Sequence, residues 1–443
     1  MPFPDQNADR LAWSLERIAP YQLTALRETV AAAGQSPHYG PLLRDVKVES
    51  LADLARLPLT TKEDVRAASP FGLVAVQREK LFQYHESFGT TGTPASSWMT
   101  EHDLHAYAAQ INQAAAEMHP GDRVLVRFPY AISVPAHIVT QAARNRGACV
   151  VPVSSRSTIS PYGRVIDLLA KLEVTVLACL PTEALWLAEA ARLSGRDPAR
   201  DFPHLRALLT AGELLTDVRR QRISAAWNAP VFNMYGCTEA GNIAADCPRG
   251  KLHLAWDHFL LESLDPATSQ PVPPGQMGVA VLTTLTREAM PLLRYILGDY
   301  IRLRPGDSCG CGRQSPVIDH HGRDFNRFEF DGRGFFVRDI EERILPAPVE
   351  AIGDFWLLEV RPDHVVFRAE AAALNEALYR DLEARVLAEL DLPLKIAAMP
   401  PGSMLNRQRL TPVEPVAKPR PVAMVPNANA GPVTIDDLFQ AGG

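Results

Sequence analysis

Between Arg123 and Tyr235 the chain alternates short β-branched runs with amphipathic stretches, and this rhythm limits the fold more than any other feature. Strand-like runs at 123–128, 149–153, 174–180, 205–210 and 231–235 are separated by helical patterns at 164–172, 182–193 and 216–226. Short apolar runs separated by helix-length segments are the pattern of βαβ units, so the sequence predicts a largely parallel sheet.

The flanks differ. Leu23, Leu26 and Val30 fall at helical spacing, and residues 57–64 (Leu-Pro-Leu-Thr-Thr-Lys-Glu-Asp) read as a turn feeding a capped helix. Between Gly278 and Leu303 two strand patterns, 278–285 and 300–303, follow too closely for crossover helices, which predicts a β-rich subdomain. Beyond Gly322 come strand runs at 355–360 and 364–368, a helical pattern at 374–390 and a short run at 395–399. With 443 residues, the chain exceeds one ordinary core. The fold class expected is therefore α/β: a large N-terminal domain (1–322) with a parallel-sheet core and a β-rich subdomain, a small mobile C-terminal α+β domain (323–425), and a flexible tail (426–443).

A net charge of −6 spread without a basic stripe argues against nucleic acid as a partner. No stretch approaches the roughly 20 apolar residues that cross a bilayer, and residues 1–10 lack a basic then apolar leader pattern, so no membrane partner and a cytoplasmic location are expected. The six cysteines form no disulfide framework, consistent with a reducing compartment.

Four short motifs carry chemistry. In Ser87-Phe88-Gly89-Thr90-Thr91-Gly92-Thr93-Pro94, glycines allow close backbone approach while hydroxyls and amides can cradle phosphate oxygens; an ordinary polar turn between two strands is the alternative. Asn233-Met234-Tyr235-Gly236-Cys237-Thr238-Glu239 stands where a buried parallel strand ends, which is where open α/β sheets bind ligands. There Tyr235 can stack on a nucleobase, and Thr238 and Glu239 can face phosphate and a magnesium ion, against the alternative of a capped helix start. Ala211-Gly212-Glu213 also follows a strand, and in Leu297-Gly298-Asp299 one carboxylate can take both hydroxyls of a ribose.

In that order and spacing, with Gly322-Arg323 and a small closing domain after them, the motifs resemble the adenylate-forming enzyme superfamily. The similarity is greatest to its phenylacetate–CoA ligase branch. Branch-specific features are the stretch at 57–64, the Pro70-Phe71-Gly72-Leu73 that follows it, the Cys-x-Cys-Gly-Arg at 309–313 and Pro401-Gly402-Ser403. The resemblance spans about residues 23–401. It implies that an acid attacks the α-phosphate of ATP, giving an acyl adenylate and pyrophosphate, and that the thiol of coenzyme A then displaces AMP.

The resemblance also assigns residues. Ser87, Gly89, Thr90, Thr91 and Gly92 match the triphosphate loop, Thr238 and Glu239 the phosphate and magnesium positions, Asp299 the ribose carboxylate and Arg323 the hinge-side arginine, while Gly212, Glu213 and Tyr235 frame adenine. Departures cluster in the half that completes catalysis. The loop lysine is Thr93, the hinge aspartate is Asn326, and the arginine expected before Gly-Asp is Ile296. Lys418 matches the late catalytic lysine only if an insertion precedes it; otherwise it is a surface lysine of a Pro-rich tail.

Cys309-Gly310-Cys311 offers two thiolates from a tight turn, and Cys247 and His253 complete a tetrahedral set for structural zinc; four free side chains in two turns are the alternative. The acid substrate is expected between the run Phe128-Pro129-Tyr130-Ala131-Ile132 and the strand end with Met234 and Gly236, in a slot suited to a flat aryl ring. His137 reads either as a polar contact to that ring or as a helix-start residue. The expected reaction is aryl–CoA ligation. Two other readings stand beside it: a secondary-metabolism enzyme passing the aryl group to an amine, a carrier-protein thiol or a second aryl acid, and a nucleotide-binding homologue without catalysis. A homodimer is compatible with all three.

Overall fold

The computed structural model describes residues 10–87 and 94–413. Helices α1 (Leu15–Ala33) and α2 (Lys62–Ala67) lead into a hairpin of β1 (Gln83–Glu86) and β2 (Ser96–Met99), and α3 (Glu101–Asn112) follows. The predicted alternation then appears as β3 (Arg123–Val126), α4 (Val134–Asn145), β4 (Cys149–Pro152), α5 (Tyr162–Lys171), β5 (Val176–Cys179), α6 (Pro181–Leu193), β6 (Ala207–Ala211), α7 (Asp217–Trp227) and β7 (Val231–Cys237). Five of these strands pair in parallel in the order β4-β3-β5-β6-β7. Each is short because both faces are covered: β5 is buried at every position, with α3 and α4 supplying apolar neighbours on one side and α5, α6 and α7 on the other.

The expected β-rich subdomain continues the same sheet. Strands β8 (Gly241–Asp246), β9 (Leu252–Leu254), β10 (Phe259–Leu264), β11 (Met277–Thr284), β12 (Tyr295–Arg304) and β13 (Val317–Arg323) join antiparallel beyond β7, in the order β8-β9-β13-β12-β11-β10. The reversal occurs between β7 and β8, across the turn holding Thr238 and Glu239. Gly236 is required there, because a Cβ on it would lie 2.0 Å from the Gly241 carbonyl oxygen. Gly241 is equally constrained: its φ is +76°, and a Cβ would meet the Tyr107 ring at 2.6 Å.

The last part comprises β14 (Arg327–Phe330), β15 (Arg333–Phe336), α8 (Val337–Ile344), β16 (Trp356–Val360), β17 (Val365–Glu370), α9 (Glu376–Leu390) and β18 (Leu394–Met399). It has its own core, with Ile340, Ile344, Phe367, Leu382 and Val386 buried together. Polar contacts tie it to the large sheet. Arg222 on α7 donates to the carbonyls of Leu345, Ala347 and Ile352 and to the Asp354 carboxylate, and the Thr216 hydroxyl donates to Glu341 at 2.7 Å.

The chain expected to belong wholly to this last part from 323 to 425 turns back after β18. Leu410 is buried with residues of α5 and α6, Leu405 packs on the same cluster, Gly163 donates its N–H to the Pro412 carbonyl, and Arg407 pairs with Glu189 at 2.6 Å. Two leucines that would be exposed in a free tail drive that return. Lys418 and residues 426–443 lie outside the described part of the chain. No helix among the described residues is long and apolar enough to cross a membrane.

Candidate active site

The carboxyl ends of β6 and β7, the β7–β8 turn, β12 and the last part of the chain enclose one cavity of 690 Å³. Gly212, Glu213, Met234, Tyr235, Gly236, Thr238, Glu239, Asp299, Arg323 and Ser87 all line it, so motifs spread over more than two hundred residues meet at one place. Gly89, Thr90, Thr91 and Gly92 fall outside the described residues. Their stem is in place: Ser87 accepts a hydrogen bond from the Ala95 N–H at 2.9 Å where β1 and β2 converge.

Glu239 is buried, and its Oε1 has no hydrogen-bond partner among the described residues. Lys62, at the first position of α2, brings its Nζ to 3.9 Å from that oxygen. The lysine arrives there because Thr61 and Asp64 cap one another, with the Thr61 N–H donating to Asp64 at 2.7 Å. Thr238 is fixed through its carbonyl, which accepts from the Ser97 hydroxyl at 2.9 Å. A buried carboxylate oxygen without a donor, beside a hydroxyl-bearing turn, is a fitting ligand for a hard divalent cation.

Asp299 receives His320 Nε2 at 3.0 Å and Arg323 through two nitrogens at 3.1 and 3.2 Å. Burial alone would raise the Asp299 carboxyl, but the His320 hydrogen bond and the Arg323 charge hold it below the usual carboxylate range. It is an anion at neutral pH with lone pairs to share, since a carboxylate accepts more hydrogen bonds than these three. Tyr235 packs its ring 4.8 Å from that of His320, and burial followed by the Asp299 charge pushes its phenol well up, so it stays neutral. Glu213 is held away from free rotation by the Thr182 N–H at 2.9 Å and hydroxyl at 2.7 Å.

The acid end differs from the sequence expectation. Met234 and Gly236 line the cavity, whereas Phe128, Tyr130, Ala131 and Ile132 do not. The chain turns after β3, placing Phe128 in the core, tying the Tyr130 hydroxyl to Thr140 at 2.8 Å, and leaving Ala131 and Ile132 exposed. The wall is instead Ser133, Val134, Pro135, Ile138 and Val139 from the start of α4, with Ile111 and Asn242, so it is aliphatic with isolated polar groups. His137 sits within that helix and donates from Nε2 to the Tyr130 carbonyl at 2.9 Å, which matches the helix-start reading. Lys62, His320, Ser133 and Asn242 were not legible as site residues; only Lys62 carried a signal, as the lysine of the Thr-Thr-Lys-Glu-Asp stretch.

Some distance along the sheet, Cys247, His253, Cys309 and Cys311 place their ligand atoms within 4.8 Å of one another. Cys311 Sγ is 3.3 Å from His253 Nε2, and Cys247 Sγ is 3.6 Å from Cys309 Sγ. Metal bonds of about 2.3 Å to sulfur and about 2.0 Å to nitrogen in a tetrahedron separate ligand atoms by roughly 3.5–3.8 Å, so the set has the dimensions of a zinc site. His253 Nδ1 donates to the Ser315 carbonyl at 2.9 Å, which leaves Nε2 as the coordinating atom.

The sequence matches the AMP-binding enzyme family over residues 47–283. It is 32% identical over 391 residues to a phenylacetate–coenzyme A ligase of Thermus thermophilus, covering 84% of this chain and 85% of that one. A phenylacetate–coenzyme A ligase of Pseudomonas putida is 29% identical over 382 residues, with 83% and 82% covered. Among solved structures, a 2-hydroxyisobutyryl-CoA ligase in its postadenylation state superposes with a TM-score of 0.80 at 22% identity, over 89% of this chain and 88% of the other. Its thioesterification state gives 0.67 at 24% identity over 92% of each.

Two buried histidines near the cavity make stability depend on pH. His85 on β1 is pushed down to about 4 from 6.5 by burial and by neighbouring His137. His321 on β13 is likewise pushed down to about 4 from 6.5, by burial and by Arg338. Between those two values the unfolded chain binds more protons than the folded one, so this stability is full above the unfolded value and is lost as pH falls through that window. The urea midpoint is expected to drop from pH 7 to pH 5, and His85→Asn to flatten the slope. An equal slope in that variant would contradict the assignment.

Proposed function

Because this chain belongs to the AMP-binding enzyme family, standing there with the phenylacetate–coenzyme A ligases, we propose that its cavity takes an aryl acid and ATP in the arrangement described above. The chain is an AMP-forming acid–thiol ligase: the carboxylate attacks the α-phosphate of ATP, pyrophosphate leaves, and coenzyme A displaces AMP from the acyl adenylate. The observation that carries the residue assignment is the convergence of Glu239, Thr238, Asp299 and Arg323 on one cavity whose other end is apolar.

Asp299 accepts the ribose hydroxyls, and Arg323 and His320 keep it ionised for that purpose. Gly212 lets the backbone pass close to adenine, because its φ of +82° is open to glycine and a Cβ there would already touch Leu180 at 3.0 Å. Glu213 and Tyr235 complete that frame. Thr238 and Glu239 face the phosphates, where Glu239 would hold magnesium; the ion would neutralise charge on the phosphoryl oxygens. Lys62 adds positive charge at the same point. Little else is required of the protein, since phosphoryl transfer depends mainly on alignment and electrostatics. The Ser87–Gly92 loop and Lys418 enter on the family resemblance alone, as contacts to the triphosphate and to the reacting acid.

We place the domain boundary at 322/323, before the last residue of β13 and ahead of the separately packed part. The six free cysteines suit a reducing cytoplasm. Zinc held by Cys247, His253, Cys309 and Cys311 would be structural, pinning the β8–β9 turn to the turn after β12, and it leaves no open position for catalysis. Without a cation the thiols oppose one another: burial and the adjacent Cys247 and Cys311 push Cys309 up to about 12.

With ATP, magnesium and phenylacetate-type acids, the protein is expected to form aryl-CoA, AMP and pyrophosphate, and Glu239→Gln to lower kcat/KM about a hundredfold. An undiminished rate in that variant would remove Glu239 from the site. Protein purified without added metal is expected to carry zinc, one ion for its one four-residue ligand set. Cys311→Ser is then expected to lose the ion and melt lower; a metal-free protein of unchanged stability would contradict the zinc assignment.

A further inference from the structure

The acid end of the cavity is built from aliphatic side chains, Ile111, Val134, Ile138, Val139 and Met234, yet two polar residues interrupt it. Asn242 is the second residue of β8, where Ile243, Ala244 and Ala245 are apolar and buried. The residue is only 4% exposed, and its amide Nδ2 has no hydrogen-bond acceptor among the described residues. A buried N–H donor without an acceptor gives up its hydrogen bond to water for nothing, a cost that a leucine at the same position would avoid.

Ser133 adds a second polar side chain to the lining. It stands at the N-cap of α4, where a serine hydroxyl ordinarily accepts from the N–H groups of the first turn. Here it makes no such bond, and Pro135 removes one of those N–H groups. Ser133 is nevertheless buried and lines the cavity. An N-cap serine unused by its helix and an asparagine unused by its strand therefore border the same apolar space.

We propose that Asn242, assisted by Ser133, sets acid specificity by hydrogen-bonding an oxygen substituent, such as a hydroxyl, carried by the ring of the aryl acid. This rests on the reading of the cavity as the adenylation site. The substituent oxygen accepts from Asn242 Nδ2, and a hydroxyl there exchanges a hydrogen bond with Ser133. An unsubstituted ring leaves Asn242 Nδ2 buried and unsatisfied. A site built to hydrogen-bond a substrate hydroxyl rejects the analogue lacking it far more strongly than an apolar pocket rejects a missing methylene.

The test compares ring-hydroxylated phenylacetates with phenylacetate itself by acid-dependent pyrophosphate release. The wild-type protein is expected to favour one hydroxylated isomer by about tenfold or more in kcat/KM. Asn242→Leu is expected to reverse the order, lowering kcat/KM for the hydroxylated acid below that for phenylacetate. Ser133→Ala is expected to narrow the preference, and it keeps the test available if Asn242→Leu does not fold. Equal use of both acids by the wild type, or an unchanged ratio in both variants, overturns the proposal. If no acid yields pyrophosphate, the ligase reading itself fails. Calorimetric binding of the same acid pairs then scores the substituent preference separately, and equal affinities overturn it.

Discussion

Everything functional in this chain depends on one reversal of strand direction. Strand β7 pairs in parallel with β6 on one side and antiparallel with β8 on the other, so the chain must turn back within the few residues after Cys237. Only glycine fits at both feet of that turn: Gly236 because the Gly241 carbonyl lies where a side chain would go, and Gly241 because its φ is positive and the Tyr107 ring covers it. The turn so made lifts Thr238 and Glu239 to the mouth of the parallel sheet. It also sends β8 back along the cavity with Asn242 in its wall. Nucleotide chemistry and acid recognition are thus two consequences of the same hairpin.

The two ends of the cavity have opposite electrostatic character. At one end, Asp299 is held below the usual carboxylate range by the His320 hydrogen bond and the Arg323 charge despite its burial, and Lys62 stands a looser 3.9 Å from Glu239. The contact at Glu239 is the loose one, which suits a group whose partner is to be a metal-bound phosphate. At the other end the lining is aliphatic, with Ile111, Val134, Ile138, Val139 and Met234, and an apolar wall of this kind offers no partner to a carboxylate. The small C-terminal part is held against the large one by Thr216 and Arg222, which donate to its Glu341 and Asp354, and by Arg407, which pairs with Glu189 of the large part and Glu370 of the small one.

The sequence made the framework readable because local patterns decide it. The parallel strands fall within a few residues of their expected places, and Ala-Gly-Glu, Tyr-Gly-Cys-Thr-Glu and Gly-Asp gather because each lies on a strand of one sheet or at its end. The Cys/His set was readable for a similar reason, since two tight turns supply its members. The acid wall was not. Nothing in Phe128-Pro129-Tyr130-Ala131-Ile132 records that the chain bends after Val126, buries one aromatic residue and points the rest away. Lys62 and His320 join the site by contacts more than a hundred residues and twenty-one residues away respectively, which periodicity does not encode. His320 simply lies beside the Gly-Arg pair already singled out. The return of Leu405 and Leu410 to the large part was hidden by the Pro-rich composition that follows them.

The account stands on an adenylate formed before any thiol is engaged. Exchange of labelled pyrophosphate into ATP, with magnesium and the preferred aryl acid but no coenzyme A, measures that step alone. Acid-dependent exchange, abolished by Asp299→Ala, is the predicted result. Nucleotide turnover to ADP and phosphate, or exchange that proceeds equally without acid, would contradict it.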